Sequence, residues 1–254
     1  MDLNYEVHGT GEPIVMIHSP GVDMREWVYI VPHLAETNQV VIFDGRGAGK
    51  SPASVKPSDF VDDLRRLIDH LGIEEVTLVG HSMGGQIATD FTLTFPAKVK
   101  KLVLIAPSLT GFKYSSEFTE WMQKVNSVAP DVEKLVEMSL SGPNYSITMS
   151  SPQQGFLYEM TRHYMKKVFT EWENFEIIWP EPPAIERLHE IKADTLFIQG
   201  DKEWEDLSRI SEHFKQVQSI SFIIVEGADH MVTLTHPEKI VNHIDLFLHK
   251  RVIE

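Results

Sequence analysis

Leu78-Val79-Gly80-His81-Ser82-Met83-Gly84-Gly85-Gln86-Ile87-Ala88 runs from an apolar stretch through a glycine-flanked serine into small and helix-forming residues. Read as strand, turn and helix, it puts a G-x-S-x-G pattern where a chain leaves a strand and enters a helix with no intervening loop. So sharp a turn forces strained backbone angles on its middle residue. Only glycine at Gly80 and Gly84 lets neighbouring chain pass close enough. The Ser82 hydroxyl then projects at the carboxyl edge of a sheet, and the Met83 amide lies at the positive end of the following helix. In that setting Ser82 reads as a nucleophile and Met83 as a donor to a developing oxyanion.

The same strand-and-helix rhythm extends in both directions. Ile14 to Ile17, Val40 to Phe43, Val76 to Val79, Leu102 to Ile105, Thr195 to Ile198 and Ile220 to Val225 are expected strands. Most are nearly continuous apolar runs, as befits a sheet covered by helices on both faces. Helices are expected over Asp23 to Glu36, Asp59 to Leu71, Ser82 to Phe95, Leu207 to Gln216 and Pro237 to His249. In the second, Phe60, Leu64, Leu67, Ile68 and Leu71 fall on one face, and Gly72 follows as a stop signal. The pattern predicts an α/β fold with a mostly parallel sheet.

The rhythm breaks between about Pro107 and Glu190. That third of the chain has no convincing strand, yet it carries half of the aromatic residues and five of the ten methionines. It reads as a helical insertion with an apolar layer of its own, offering either a small core or a substrate-facing wall. Pro180-Glu181-Pro182-Pro183 reads as a stiff extended link back to the sheet. The expected division is therefore a sheet domain from residues 1–106 and 191–254, interrupted by helices over 107–190.

Composition narrows the chemistry. The 254 residues carry a formal net charge of -14, which disfavours nucleic acid and anionic membrane surfaces as partners. With no cysteine there is no thiol nucleophile, disulfide framework or thiolate metal site. Neither a basic run followed by an apolar stretch at the N-terminus nor an apolar run near 20 residues is seen, so the expected location is cytoplasmic. Gly45 to Ser51 imitates a phosphate-binding loop only in its final Gly-Lys-Ser, because Asp44 stands where the first glycine is needed. His189-Glu190 opens a zinc-binding pattern that Ala193 ends, and neither metal nor organic cofactor is expected.

A serine hydroxyl needs a base and a carboxylate to orient it. Of the 12 histidines, His230 stands out in Val225-Glu226-Gly227-Ala228-Asp229-His230, just past the last strand. His81 should point away from Ser82 at the tight turn, and His18 should support a loop. The loop Gly200-Asp201-Lys202-Glu203-Trp204-Glu205-Asp206 offers four acids, and any of them satisfies the chain order Ser, acid, His.

These residues, in this order, resemble the α/β-hydrolase fold superfamily over nearly the whole chain, and within it the serine esterase and lactonase branch of 3-oxoadipate enol-lactonase-like hydrolases. His18-Ser19-Pro20-Gly21 with Trp27 is similar to that family's oxyanion loop and downstream tryptophan. Asp44-Gly45-Arg46-Gly47-Ala48-Gly49-Lys50-Ser51 is similar to its Asp-x-Arg-Gly-x-Gly-x-Ser turn. The resemblance implies that the insertion is a cap, that Ser82 and His230 are nucleophile and base, and that the acid stands three residues past Gly200. Glu203 occupies that position, ahead of Asp206 and Asp201, and the rest of the acidic cluster is expected to be solvated surface.

The family's second oxyanion donor falls at Pro20, which has no N–H. Either Ser19 or Gly21 supplies a substitute amide, or turnover is weak. The expected activity is cleavage of a small carboxylic ester or lactone through an acyl-enzyme. Alternatives on the same machinery are a carbon–carbon bond hydrolase, aminopeptidase, thioesterase or perhydrolase, or a ligand sensor with slow turnover.

Overall fold

The computed structural model describes residues 1–249, whose strands assemble into a single seven-stranded sheet. In chain order the strands are β1 (Tyr5–His8), β2 (Glu12–Ile17), β3 (Asn38–Phe43), β4 (Val76–His81), β5 (Val99–Ile105), β6 (Asp194–Gly200) and β7 (Ile220–Val225). They lie in the order β1-β3-β2-β4-β5-β6-β7, all neighbours parallel except the antiparallel pair β1 and β3. The helices are α1 (Val31–Leu34), α2 (Phe60–His70), α3 (Met83–Thr94), α4 (Ser116–Asn126), α5 (Val132–Leu140), α6 (Gln154–Glu171), α7 (Glu205–Phe214), α8 (Val232–Thr235) and α9 (Pro237–His249). The mostly parallel α/β sheet expected from the sequence is thus present. Among the described residues no helix is long and apolar enough to cross a membrane.

Both faces of the sheet are buried, which is why its strands read as apolar runs. Val15, Ile17, Leu78, Leu102 and Leu104 pack towards α2, α3 and α7, whereas Ile14, Met16, Val79, Val103 and Ile105 pack towards α1 and α9. Each such side chain contributes roughly 1.5–3 kcal/mol by leaving water. The register sets the carboxyl ends of the central strands side by side: Ile17 opposes Phe43 and Gly80, His81 opposes Ile105, and Gly200 opposes Val225. Loops leaving these ends share one edge, the usual place for a ligand site in a parallel sheet.

One local expectation needs correction, and two features were not anticipated. The helix expected over Asp23 to Glu36 is instead a 3-10 turn at Met24–Trp27 followed by the single turn α1. Pro32 cannot donate to a carbonyl one turn back, and the Asp23 carboxylate caps the first turn through the Arg25 amide at 3.1 Å. β1 escapes sequence reading because it is a half-exposed edge strand of four residues without an apolar run. The chain between β5 and β6 is helical, but Ile177 makes one parallel bridge to Ser58 as it returns.

Helix α3 buries a carboxylate at Asp90. Burial pushes the Asp90 carboxyl up to about 6, against a hydrogen bond from Thr110 Oγ1 and the attraction of Arg187, which both pull it down. The folded state therefore binds that proton more tightly than the unfolded chain does, so folding is penalised progressively as pH rises from about 4 through 6 and fully above. Asp90→Asn should stabilise the fold at pH near 7.5 by on the order of 1–3 kcal/mol and at pH near 4 by much less, measured by urea unfolding at both values.

Candidate active site

Ser82 links β4 to α3 with φ 53° and ψ −118°, a left-handed geometry costing a non-glycine residue roughly 1–3 kcal/mol. Its amide donates to the Ile105 carbonyl at 2.9 Å, and its carbonyl accepts from the amides of Gln86 at 3.1 Å and Ser108 at 3.0 Å. Space dictates the glycines around it. A Cβ on Gly84 would stand 2.1 Å from the Ile17 carbonyl oxygen, and one on Gly80 would stand 2.3 Å from the carbonyl oxygen of Gly84. Helix α3 thus starts against the end of β2, which continues into His18-Ser19-Pro20-Gly21. Met83, the first residue of α3, has its amide at the positive end of that helix.

The loops after β6 and β7 are packed just as tightly. A Cβ on Gly200 would meet the Ala228 carbonyl oxygen at 2.1 Å. That carbonyl accepts from the Lys202 amide at 3.0 Å, while the Asp201 carboxylate accepts from the Gly227 amide at 2.7 Å. Between them the Glu203 carboxylate, with 3% of its side chain exposed, lies 3.1 and 3.2 Å from His230 Nδ1. Burial alone would lower the His230 pKa, but the charge and hydrogen bond of Glu203, helped by Glu26 and Asp229, raise it above the usual histidine value. Tyr145 stands edge-on to the imidazole, its rings 6.0 Å apart. Its hydroxyl is pushed upward by burial and by the charges of Glu203 and Asp229.

Ser82 and His230 line one cavity of about 290 Å³, together with Pro20 and a set of aromatic residues. Tyr114, Phe118, Trp121, Tyr145 and Tyr164 come from the segment between β5 and β6, and Trp204 from the loop after β6. The His230 side chain bonds to Glu203, and no hydrogen bond joins it to Ser82 among the described residues. Such contacts commonly tighten only with substrate present. Among the described residues no group of three or more His, Asp or Glu comes together as metal ligands would.

A sequence model described as "alpha/beta hydrolase fold" matches residues 12–141, more than half of the chain. The chain belongs to the alpha/beta hydrolase fold family. It is 25% identical over 259 residues to the abhydrolase domain-containing protein abhd-5.2 of Caenorhabditis elegans, covering 90% of this chain but only 57% of that protein. It is 22% identical to a pimeloyl-[acyl-carrier protein] methyl ester esterase of Legionella pneumophila, covering 98% of this chain and 100% of the relative. The enol-lactonase structure from Burkholderia xenovorans superposes with a TM-score of 0.78 at 18% identity, over 98% of this chain and 96% of that one. At that identity the likeness speaks for the alpha/beta hydrolase fold alone.

Within this alpha/beta hydrolase frame, the acids of the loop after β6 have separate environments. Asp201 caps the loop after β7, Glu203 meets His230, and Glu205 is exposed. Asp206, the second candidate for the acid, points elsewhere: its side chain is 4% exposed, takes the Ser115 amide and hydroxyl at 3.0 and 2.7 Å, and pairs with Arg209. His81 is fully buried and faces away from the cavity towards Glu26, and His18 Nε2 accepts from the Gly45 amide at 2.9 Å. Of the two substitute amides considered beside Pro20, that of Ser19 is committed to the Glu26 carboxylate at 2.9 Å.

Sequence reading missed two buried acids altogether. Asp229 fixes the loop after β7 by accepting from the Thr148 amide at 2.7 Å and hydroxyl at 2.6 Å, and the His230 amide donates to the Asn144 carbonyl at 3.0 Å. Glu26 gathers donors from several loops. Nothing in their sequence settings separates them from surface acids; only the position of Asp229 beside His230 was a hint.

Proposed function

We propose that the protein is a serine hydrolase of small carboxylic esters or lactones. The observation that carries this reading is the shared cavity in which Ser82, held in a strained strand-to-helix turn, stands beside a His230 oriented by Glu203. Ser82 Oγ attacks the substrate carbonyl while His230 Nε2 takes its proton; the imidazolium then protonates the leaving alcohol, and the acyl group rests on Ser82. His230 next removes a proton from water as it attacks the acyl carbonyl, and the imidazolium returns that proton to Ser82 Oγ as the acid is released. Glu203 holds the Nδ1–H tautomer throughout and stabilises the transient imidazolium.

Met83 N–H is one oxyanion donor. With Ser19 committed elsewhere and Pro20 lacking an N–H, Gly21, at φ +81°, is the amide left on that loop for the second. The helices over 107–190 serve as a cap, and the aromatic cavity wall suits an apolar acyl or alcohol group. The Pro20 loop also favours a second reading, a ligand sensor that retains the nucleophile but deacylates slowly.

Ser82→Ala should abolish labelling by a fluorophosphonate and hydrolysis of p-nitrophenyl butyrate, and labelling that persisted at another residue would sink the assignment. Steady turnover in the range of about 1–10³ s⁻¹ marks the enzyme, whereas one acylation burst marks the sensor.

The neutral imidazole is the active base, so kcat/KM should rise with pH through a value above the usual ~6.5 for histidine. Glu203→Gln removes the charge that raises it and should move this limb to lower pH, with kcat reduced by roughly 10²–10⁴-fold. Pro20→Gly restores a backbone amide. If Gly21 already donates, kcat stays within about threefold; a gain approaching 10²-fold would mean that the second donor is missing in the natural loop.

A further inference from the structure

Glu26 sits in the turn after the Pro20 loop and is completely buried. Its Oε2 accepts the Ser19 amide at 2.9 Å, and its Oε1 accepts the Thr233 hydroxyl at 2.9 Å and faces His81 Nδ1. His81, equally buried, is the residue immediately before Ser82. Its other nitrogen, Nε2, lies 2.8 Å from the backbone carbonyl oxygen of His230, and the two rings pack with centroids 4.9 Å apart. A carbonyl oxygen only accepts, so Nε2 must carry a proton. Its Nδ1 is held by the Glu26 carboxylate.

One carboxylate therefore ties together three loops that reach the cavity separately: the Pro20 loop through Ser19, the Ser82 turn through His81, and the His230 loop through Thr233 and, by way of His81, the His230 carbonyl. An apolar residue would fill the same space without the cost of burying a charge. What the carboxylate adds is fixed geometry among the three.

We propose that Glu26 is a positioning residue for the hydrolysis put forward above, and that together with His81 it sets the registers of the Pro20 loop, the Ser82 turn and the His230 loop against one another. The proposal rests on that reading of the site. Displacements near 1 Å at a reacting centre cost about 10²-fold in rate.

Glu26→Gln should lower kcat for p-nitrophenyl butyrate, and the rate of fluorophosphonate labelling at Ser82, by roughly 10–10²-fold with KM changed less than about twofold. Glu26→Asp, which keeps the charge, should recover a substantial part of that loss. Thr233→Val, which removes one donor to that carboxylate, should also lower kcat with KM little changed.

Wild-type kcat in Glu26→Gln, with Ser82→Ala inactive, overturns the proposal while leaving the hydrolase reading in place. Turnover that survives Ser82→Ala overturns both. Should Glu26→Gln fail to fold, Thr233→Val still decides: wild-type kcat in that variant overturns the proposal.

Discussion

The contact between Gly84 and the carbonyl end of β2 governs the geometry of the site. Because a Cβ at Gly84 would overlap the Ile17 carbonyl oxygen, α3 can begin only where glycine permits, and its first turn is pressed against the strand that becomes the Pro20 loop. That closeness compels the strained angles at Ser82. It also brings Met83 and the Pro20 loop together, where both line one pocket. The strain is local and is borne by a sheet buried on both faces, with two apolar layers that hold β2, β4 and β5 in register.

Those parts were legible in the sequence because they follow from chain-local rules. Apolar runs marked the central strands, and a glycine-flanked serine between strand and helix marked the turn. The order of Ser82, the Gly200 loop and His230 then singled out the loops beside it. β1 was not legible, since a half-exposed strand of four residues has no pattern to read. Pro32 did announce a break in the expected first helix, but the apolar spacing around Trp27 and Ile30 masked it.

Acid placement shows where sequence reading stops. Asp201, Glu203 and Asp206 stand within six residues yet do three different things: one caps a backbone loop, one meets His230, and one is buried against Ser115 and Arg209. Glu26 and Asp229 look like surface acids in the sequence and are completely buried in the fold. Whether a carboxylate is solvated depends on which distant donors reach it. Ser19, His81, Thr233 and Thr148 were ordinary polar residues until the fold brought them together.

The loop carrying His230 is joined to the helices between β5 and β6 by its own backbone, through Asn144 to the His230 amide and through Thr148 to Asp229. Tyr114, Phe118, Trp121, Tyr145 and Tyr164, which wall the cavity, come from the same segment between β5 and β6. For the proposed hydrolysis, selectivity and rate are therefore not independent modules. Exchanging the helical segment for that of a relative, to gain a new substrate range, would also remove the anchors of the imidazole. An adaptive path that reshapes the cavity is thus confined to side-chain changes that leave the Asn144 carbonyl and Thr148 in place.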